Sequence, residues 1–483
     1  MTTFMNKDIR FLIVAFDGLR PDMMDDDLMP NLTEFCRQGA HCTDNRAVFP
    51  TETRVNQSSL VTGCHPSRHG MVANKFIEAA AGGFLNTADY DALSAADDVL
   101  DGILTAPTMG EILHSAGLEL SVVGCGTPGG NRILHHRARV LGNLNISLHG
   151  LDKSTTPEAG LAIVDAVGPI PDPDLPNKAQ IDWVVDAYMD AVAPARDPAV
   201  TILWFSDPDT PYHYRGIESA EAAEAIRHAD AAFGRLLAWR KTSGRKNLQI
   251  IALSDHGHVA THGKPMGLKN QFSAAGFDVE QLTLIPGTFG SLYTEDANDQ
   301  RKLVSWLQNQ SWCGPIFARD LEGLPSGALP LSAANCEHPR SGDIVFVLAR
   351  DAVAPNGGLL GRCLHDNAEI PEGCGLHGGL SPYEVSSVLA FSGNLFASPQ
   401  SVDIPTGIID VLPTVLHCLG LDVPDLDGRV LREAMQGIAP TSVRKTFRAT
   451  SAGDSYRQTL TFDEVGGSRY LAYGARDGAK PLA

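Results

Sequence analysis

The chain has 483 residues, of which 43% are hydrophobic and 20% are charged. This length can bury a large core and allows two or three domains or one large elaborated domain. The 57 acidic residues outnumber the 38 basic residues and give a formal net charge of −19, which disfavours nucleic-acid polymers and anionic membranes as partners. A small anionic substrate is compatible with this charge if bound metal ions concentrate positive potential locally.

The cysteines and the N-terminal region favour a cytoplasmic protein. The nine cysteines are scattered and have no C-x-x-C spacing, so we expect reduced thiols and neither a disulfide framework nor a thiolate zinc site. The apolar run at residues 11–16 is interrupted by Asp17, so it fits neither a secretory segment nor a membrane span. We therefore expect a cytoplasmic location without membrane contact, and the sequence leaves homo-oligomer formation open.

The hydrophobic pattern alternates strand-like runs with helical segments. This alternation predicts an α/β fold with a mostly parallel central sheet and helices on both faces. The predicted strands are residues 9–16, 119–123, 201–205 and 248–253. The predicted helices are residues 30–38, 54–62, 108–115, 181–192 and 220–240.

Three segments have the pattern of insertions, namely residues 78–104, 151–177 and 259–374. The last one is the largest and contains candidate strands and a candidate helix of its own, so we expect a smaller cap subdomain there. The candidate strands are residues 288–293 and 344–348, and the candidate helix is residues 299–309.

The remaining chain divides into a core and a C-terminal extension. Residues 1–258 and 375–440 are expected to form the core, and residues 441–483 the extension. Within the extension, residues 458–462 and 469–473 predict a hairpin.

Polar residues follow three of the predicted strands, where ligands gather in open α/β sheets. A lone aspartate at such a point is usually a turn former or a helix cap, but three such strand ends in one chain favour a common site. A glycine-rich loop at residues 375–379 adds one more imidazole. Carboxylates and imidazoles without cysteine suit Zn²⁺, Mn²⁺ or Fe. The candidate ligands are Asp17, Asp209, His213, Asp255, His256 and His377.

A candidate nucleophile lies in residues 49–56, which read FPTETRVN and lead directly into a predicted helix. A threonine there would lie at the positive end of the helix dipole, beside free backbone N–H groups. Its hydroxyl becomes a nucleophile at neutral pH only if something lowers its pKa, as metal coordination does. An ordinary threonine cap explains the same pattern, and the residues alone favour that simpler explanation.

Residues 49–75, FPTETRVNQSSLVTGCHPSRHGMVANK, resemble the nucleophile region of the nucleotide pyrophosphatase/phosphodiesterase branch of the alkaline phosphatase superfamily. The pattern there is approximately P-T-x-T-x-x-N, followed by T-G, P, H-G and N-K. Its second threonine is the family's nucleophile, which implies that Thr53 and not Thr51 is catalytic. Residues 408–416 and 427–429 resemble the C-terminal structural segment of the superfamily, so the resemblance extends to about Arg429.

The resemblance also implies two metal sites. One would consist of Asp17, Thr53, Asp255 and His256, and the other of Asp209, His213 and His377. The spacing of Asp209 and His213 matches the family's E-P-D-x-x-G-H motif, with Asp207 in place of the glutamate, so Asp207 stays open as an alternative ligand.

Two further residues fall on substrate-binding positions of the family. Asn74 occupies the position of the phosphate-contacting asparagine, where its amide would donate to a non-bridging oxygen. Lys75 matches as well, although a solvated lysine explains it equally.

Several weaker signals surround these motifs. His258 and His262 are close enough to the Asp255-His256 pair to contact ligands or substrate, but positions on a surface loop are favoured for both. Residues 126–132 form a glycine-rich turn that runs into a basic stretch, residues 132–139. This turn could hold the far end of an anionic substrate, although a plain strand-to-helix turn is favoured.

The resemblance implies a phosphodiesterase or nucleotide pyrophosphatase that uses two divalent metal ions, with Zn²⁺ favoured over Mn²⁺ and Fe, and forms a phospho-threonine intermediate at Thr53. Its substrate would be a small anionic phosphoester or phosphonate. A phosphonoacetate hydrolase is the nearest alternative, and it would need a basic residue from 132–139 or from the cap to bind the substrate carboxylate. A phosphoryl transferase and a metal-free scaffold protein are alternatives from other classes.

Overall fold

The centre of the computed structural model is an eight-stranded sheet. The structure describes residues 8–294, 296–355, 357–396, 398–437, 443–453 and 455–482. Only Leu389–Ser392 runs antiparallel to the other strands of this sheet, so the expected mostly parallel sheet is confirmed. In spatial order the strands are Gln400–Val402, Ala40–Cys42, Leu389–Ser392, Leu248–Leu253, Arg10–Phe16, Val200–Phe205, Leu120–Gly124 and Leu144–Ser147.

Helices cover both faces of this core sheet. In Arg10–Phe16, Phe11 and Ile13 belong to one apolar cluster, whereas Leu12 and Val14 belong to another. Successive side chains of a strand point to opposite faces, so a strand that is apolar throughout is buried on both. One face is covered by Pro30–Gln38, Pro157–Val167, Lys178–Asp186 and Ala220–Thr242. The other is covered by Thr53–Thr62, Met109–Ser115, Pro128–Leu134 and Val411–Cys418.

The predicted elements of the core are present, with small shifts at their ends. The helix Pro30–Gln38 and the strand Leu248–Leu253 have the predicted bounds. The helix expected at residues 54–62 begins one residue earlier, at Thr53. The segment expected as one helix at residues 181–192 is α-helical only to Asp186 and continues as the π-helix Ala187–Val192.

Several elements of the core were not predicted from the sequence. The strand Leu144–Ser147 is fully buried, yet it contains Asn145, whose amide donates to backbone oxygens nearby. The helices Tyr90–Val99 and Pro157–Val167 lie within segments that were predicted only as insertions.

Residues 259–374 contain a second sheet with an apolar cluster of its own. The candidate strands and helix of this segment are present as Phe289–Tyr293, Ile344–Leu348 and Ala297–Gln308. The five strands of this cap sheet are Thr283–Pro286, Phe289–Tyr293, Ile344–Leu348, Cys313–Ala318 and Leu329–Pro330. A separate core is what a cap subdomain requires, and its boundaries stay a prediction.

A small linking sheet connects the cap segment to the core. It pairs Arg350–Asp351, Arg362–Cys363, Val259–Thr261 and Gly375–Leu376 in that order. Val259 lies opposite Leu376 in an antiparallel pair. This register places the residue before Val259 next to the residue after Leu376, more than a hundred positions later in the chain.

The C-terminal extension is larger than the predicted hairpin. It is a three-stranded antiparallel sheet of Arg444–Ala452, Arg457–Val465 and Ser468–Arg476. The first strand is mostly exposed and has no apolar alternation to indicate it. Gln458 donates to the carbonyl of Ile316 and accepts its N–H, so this sheet is attached to the cap sheet. The boundary predicted at residue 440 lies outside the described residues.

Two further findings concern the whole described chain. Among the described residues, no helix combines the length and the apolar character needed to cross a membrane. The nine cysteines are unpaired, and all except Cys418 are buried.

Candidate metal centre

The carboxyl ends of three adjacent strands bring the acidic candidates together. Asp17 follows Arg10–Phe16 directly, and Asp209 and Asp255 come shortly after its two parallel neighbours. Because parallel strands end at the same edge of the sheet, side chains that follow them share one location.

Asp17, Asp255 and His256 form the first group of ligand-type side chains, here called the dicarboxylate group. All three are buried. Oxygens of Asp255 and Asp17 lie 3.3 Å and 3.8 Å from His256 Nε2, and Thr53 Oγ1 lies 3.1 Å from the same nitrogen. The predicted ligands of one site are therefore adjacent.

Each carboxylate of this group has one oxygen fixed by a donor and one without a donor. Trp204 Nε1 donates to Asp17 Oδ2 at 2.9 Å, and the backbone N–H of Gly18 donates to Asp255 Oδ1 at 3.0 Å. Asp17 Oδ1 and Asp255 Oδ2 are buried without a hydrogen-bond partner. Buried anionic oxygens require a partner, and a cation between them would supply one.

Electrostatics also favour a cation at this position. Burial, together with the charges of Asp255 and Asp209, raises the pKa of Asp17 well above its usual value. Burial likewise raises the pKa of Asp255. A bound metal ion would reverse this preference for the neutral acids, because it stabilises the carboxylate form.

Asp209, His213, His258 and His377 form the second group, here called the imidazole group. Asp209 oxygens lie 3.3 Å from His213 Nε2 and 3.5 Å from His377 Nε2. Tetrahedral ligands about 2.0–2.1 Å from a zinc ion are themselves about 3.3 Å apart. Asp209, His213 and His377 therefore have the spacing of ligands to one ion.

Three of the histidines present a lone pair to these groups. A backbone carbonyl only accepts hydrogen bonds, so a ring Nδ1 next to one carries a proton, and in the neutral ring Nε2 then has the lone pair. This holds for His213, His256 and His377. Their Nδ1 atoms donate to the carbonyls of Gly375, Gly257 and Thr51 at 2.8, 3.1 and 2.8 Å.

His258 is fully buried, so the surface-loop position predicted for it is wrong. The register of Val259 with Leu376 puts it beside His377. Its Nε2 lies 2.7 Å from Asp209 Oδ1, which is the distance of a hydrogen bond and shorter than the separation of two ligands on one zinc ion. Its buried Nδ1 has no partner, so the proton belongs on Nε2, which donates to Asp209.

Two glycines make room for this histidine. A Cβ at Gly18 would lie 2.8 Å from His258 Nε2, and one at Gly375 would lie 2.8 Å from its Nδ1. Gly18 also has φ +70°, a left-handed conformation that favours glycine. The turn after the first strand thus has the shape that the buried imidazole needs.

Thr51 and Thr53 have different surroundings. Thr51 Oγ1 donates to the carbonyl of Gly379 at 2.9 Å and accepts the N–H of Gly378 at 3.0 Å. Thr53 is the first residue of its helix and faces His256. Thr51 therefore anchors the loop of His377, and only Thr53 directs its hydroxyl towards the ligand-type residues.

A cavity of about 410 Å³ extends from both groups. Thr53, Asn74 and Lys75 line it from the core, and Phe289 and Asn367 line it from the cap segment. Asn74 Oδ1 accepts the backbone N–H of Arg54 at 3.2 Å. The amide nitrogen of Asn74 is thus left to donate into the cavity.

The other candidates lie elsewhere. Asp207 does not join either group, and its carboxylate accepts the N–H of Asn177 at 2.8 Å. Arg132, from the basic stretch, is buried and forms an ion pair with Asp97 at 2.6 Å. His262 belongs to neither group. Of the glycine-rich turn, Gly126 and Thr127 line the cavity.

Comparison with known proteins gives a family match and distant relatives. The family model described as type I phosphodiesterase / nucleotide pyrophosphatase matches residues 11–356. A venom phosphodiesterase of Macrovipera lebetinus is 27% identical over 254 residues, which cover 51% of this chain and 25% of the relative. A bis(5'-adenosyl)-triphosphatase of Xenopus laevis is 40% identical over 70 residues, which cover 14% of this chain and 16% of the relative. The matched stretch thus spans about a quarter of the length of the venom relative.

Solved structures share the fold. Murine ectonucleotide pyrophosphatase/phosphodiesterase 5 superposes with a TM-score of 0.64 at 18% identity and covers 88% of this chain and 100% of its own. An inactive threonine-to-alanine variant of it, in complex with AMP, gives a TM-score of 0.63 at 17% identity and covers 89% of this chain. At this identity the similarity establishes the architecture alone, including the predicted α/β fold.

Proposed function

The chain belongs to the type I phosphodiesterase/nucleotide pyrophosphatase family, and from this premise we propose that it is a metal-dependent hydrolase of phosphodiester or pyrophosphate bonds. One observation carries the proposal. The Thr53 hydroxyl lies 3.1 Å from His256 Nε2, between buried ligand-type residues and the cavity. A hydroxyl beside a metal site can act as a nucleophile at neutral pH.

We propose two divalent metal ions, one held by Asp17, Thr53, Asp255 and His256 and the other by Asp209, His213 and His377. The unpartnered oxygens of Asp17 and Asp255 and the unprotonated Nε2 atoms support this assignment. A donor set of carboxylates and imidazoles without thiolate favours Zn²⁺, with Mn²⁺ and Fe as alternatives. When bound, the ions would lower the pKa of the threonine hydroxyl and neutralise charge on the phosphoryl and leaving oxygens.

Residues of the chain itself carry out the attack, stabilise the developing charge and position a ligand. Thr53 Oγ1 attacks phosphorus and forms a new bond to it, and the bond to the leaving oxygen breaks. The proton that the Thr53 hydroxyl loses is balanced by protonation of the leaving group. The Asn74 amide donates to a non-bridging oxygen and stabilises the charge that develops there. His258 donates to Asp209 and holds its carboxylate towards His213 and His377. Water then cleaves the phospho-threonine and restores the hydroxyl.

The substrate class follows from the family and from the cavity. We propose a small anionic phosphoester, such as a nucleotide derivative. The relatives support this class, since they include a venom phosphodiesterase, a bis(5'-adenosyl)-triphosphatase and a structure in complex with AMP. A cavity of about 410 Å³ has the size of a small-molecule site.

Phosphonoacetate hydrolysis is the second candidate, because two basic residues reach the cavity. These are Arg54 and Lys75. Neither belongs to residues 132–139 or to the cap, the two regions from which the sequence predicts such a basic residue. Either cation could bind a substrate carboxylate. A cytoplasmic location and homo-oligomer formation stay predictions from the sequence, which cell fractionation and light scattering would test.

The first experiment compares three substrates with the purified protein: bis-p-nitrophenyl phosphate, p-nitrophenyl phosphate and phosphonoacetate, with metal analysis of the same sample. We expect about two metal ions per chain and the fastest turnover of the diester. Turnover of phosphonoacetate alone would favour the second candidate. Inactivity towards all three with full metal content would contradict a hydrolase of these classes and favour a phosphoryl transferase.

Thr53→Ala and Thr53→Ser are the matched variants for this experiment. Thr53→Ala should lower kcat by about 10⁴-fold or more, as loss of a nucleophile does, and should give no phosphorylated protein on rapid quenching. Thr53→Ser keeps the hydroxyl and should keep most of the activity. Full activity of Thr53→Ala would exclude Thr53 as the nucleophile.

A further inference from the structure

Arg54 directly follows the proposed nucleophile, and its side chain lines the cavity. Its Nε donates to Thr87 Oγ1 at 3.3 Å. Thr87 is itself fixed, because its hydroxyl donates to the carbonyl of Asn74 at 2.7 Å. One edge of the guanidinium is therefore held by the protein, and the two terminal nitrogens have no hydrogen-bond partner among the described residues.

The charge of Arg54 has no ion-pair partner among the residues that the structure describes. No carboxylate oxygen of a described residue lies within 4.0 Å of its guanidinium. Burial lowers its pKa, against the opposing fields of Glu52, Asp17, Asp209 and Asp255, yet a guanidinium stays protonated at neutral pH. The cation thus lies near four carboxylates without binding any of them.

Bound metal ions would change the charge balance around Arg54. The carboxylates of the dicarboxylate and imidazole groups would then be neutralised by the ions. Arg54 would become an additional positive charge in a partly buried site, which is costly without a counter-ion. Glu52 does not serve as one, because its carboxylate accepts the N–H of Asn74 at 2.5 Å and forms no ion pair with Arg54.

We propose that Arg54 binds a second negative charge on the substrate, close to phosphorus. This inference rests on the proposed function, since Thr53 defines where phosphorus lies. The second charge is either the additional ionised oxygen of a terminal phosphoryl group or a carboxylate on a short substituent. A planar guanidinium whose two terminal nitrogens are open suits both, because these nitrogens can donate two parallel hydrogen bonds to such an anion.

Lys75 is the rival for this role. It also lines the cavity, but its side chain is exposed and forms no hydrogen bond or ion pair with any described residue. A solvated, mobile ammonium contributes less to a specific anion site than a held guanidinium does. Arg54 should therefore dominate the discrimination between singly and doubly charged ligands.

The test measures binding of three probes to the metal-loaded protein by calorimetry at pH 8. Inorganic phosphate and phosphonoacetate carry the second charge, and dimethyl phosphate carries one charge only. The variants are Arg54→Gln, Arg54→Lys and Lys75→Gln. Arg139→Gln is the matched control, because Arg139 is 62% exposed and outside the cavity.

Arg54→Gln should weaken binding of at least one doubly charged probe by about 10- to 100-fold, which is the range for a charge-assisted hydrogen bond. The same variant should weaken binding of dimethyl phosphate by less than about threefold. Arg54→Lys should restore part of the loss, whereas Lys75→Gln and Arg139→Gln should have smaller effects. Loss confined to phosphate would identify the terminal phosphoryl group, and loss confined to phosphonoacetate would identify the carboxylate. Unchanged metal content and thermal unfolding of each variant would show that the fold is intact.

Three results would overturn the inference. They are equal weakening of all three probes in Arg54→Gln, a larger effect in Lys75→Gln, and failure of the wild-type protein to bind either doubly charged probe. A protein that binds phosphate through Arg54 but hydrolyses no substrate would instead contradict the proposed function. The two proposals can therefore fail separately.

Discussion

The dicarboxylate group and the imidazole group differ in what holds them in place. Asp17 and Asp255 follow two adjacent strands of the core sheet and are fixed by Gly18 and Trp204. In the imidazole group, Asp209 and His213 lie on a helix that follows a strand of the core sheet. His258 and His377 flank two paired strands of the linking sheet. One group is thus built by the core alone, and the other also requires the contact between the core and the linking sheet.

Because of this difference, we expect the two proposed metal sites to respond differently to distant changes. A change within the core sheet should affect the dicarboxylate group first. A change in the register or packing of the linking sheet should affect the imidazole group first.

The largest effect is expected from Asp255→Asn. The variant removes one of two carboxylates from the first group, so it should bind one metal ion fewer per chain. Because a metal ion supplies several kcal/mol of charge stabilisation, kcat/KM for the diester should fall by at least about 10³-fold. Metal analysis and steady-state kinetics check this. Retention of both ions would contradict the role of Asp255 as a ligand.

His258→Ala should have an intermediate effect that is confined to the imidazole group. Loss of the hydrogen bond to Asp209 should weaken the affinity of one metal ion by about 10- to 100-fold, as losses of outer-shell partners do. Both ions should still bind at saturating concentration, because the proposed ligands are intact. Competition with a chelator measures the two affinities.

His262→Ala is the control for this prediction, since His262 belongs to neither group. If His258→Ala lost one ion even at saturating metal, His258 would be a ligand and not a donor to Asp209. If it changed neither affinity, the linking sheet would not control the second site.

Trp204→Phe should have the smallest effect, and on the first group only. It removes the donor to Asp17 Oδ2 inside a buried site, which should cost about 1–2 kcal/mol of the free energy of unfolding in the metal-free protein. Denaturant unfolding monitored by circular dichroism measures this cost. A change in the affinity of the second metal ion, with the first unaffected, would contradict the assignment of Trp204 to the dicarboxylate group.

Some of the site was predictable because it depends on local patterns. A buried strand followed by Asp17 or Asp255 is visible in the sequence, and the carboxyl ends of parallel strands necessarily meet. The preference for Thr53 over Thr51 came from the family resemblance, and the two hydroxyls do have different partners. The catalytic and metal-binding roles of these residues stay proposals.

Other parts of the site depend on tertiary contacts. His258 was expected on the surface, because no local pattern shows that Val259 pairs with Leu376. The hydrogen bond from Trp204 to Asp17 could not be predicted, because the place of Trp204 in an apolar strand indicates only that it is buried. The sequence left open whether a cation from residues 132–139 reaches the site; none of these residues lines the cavity, and Arg132 pairs with Asp97.

Local sequence patterns are therefore enough to predict the α/β class, the main strands and the order of polar residues after them. Contacts between distant segments decide which imidazoles lie together and which nitrogen of each neutral ring carries the proton. They also decide that Arg54, which lines the cavity, forms no ion pair with a described carboxylate. The two kinds of feature depend on residues at different separations along the chain. Strand and helix patterns express the burial of neighbouring residues, whereas a hydrogen bond of about 3 Å between distant segments depends on register and packing that no short stretch of sequence encodes.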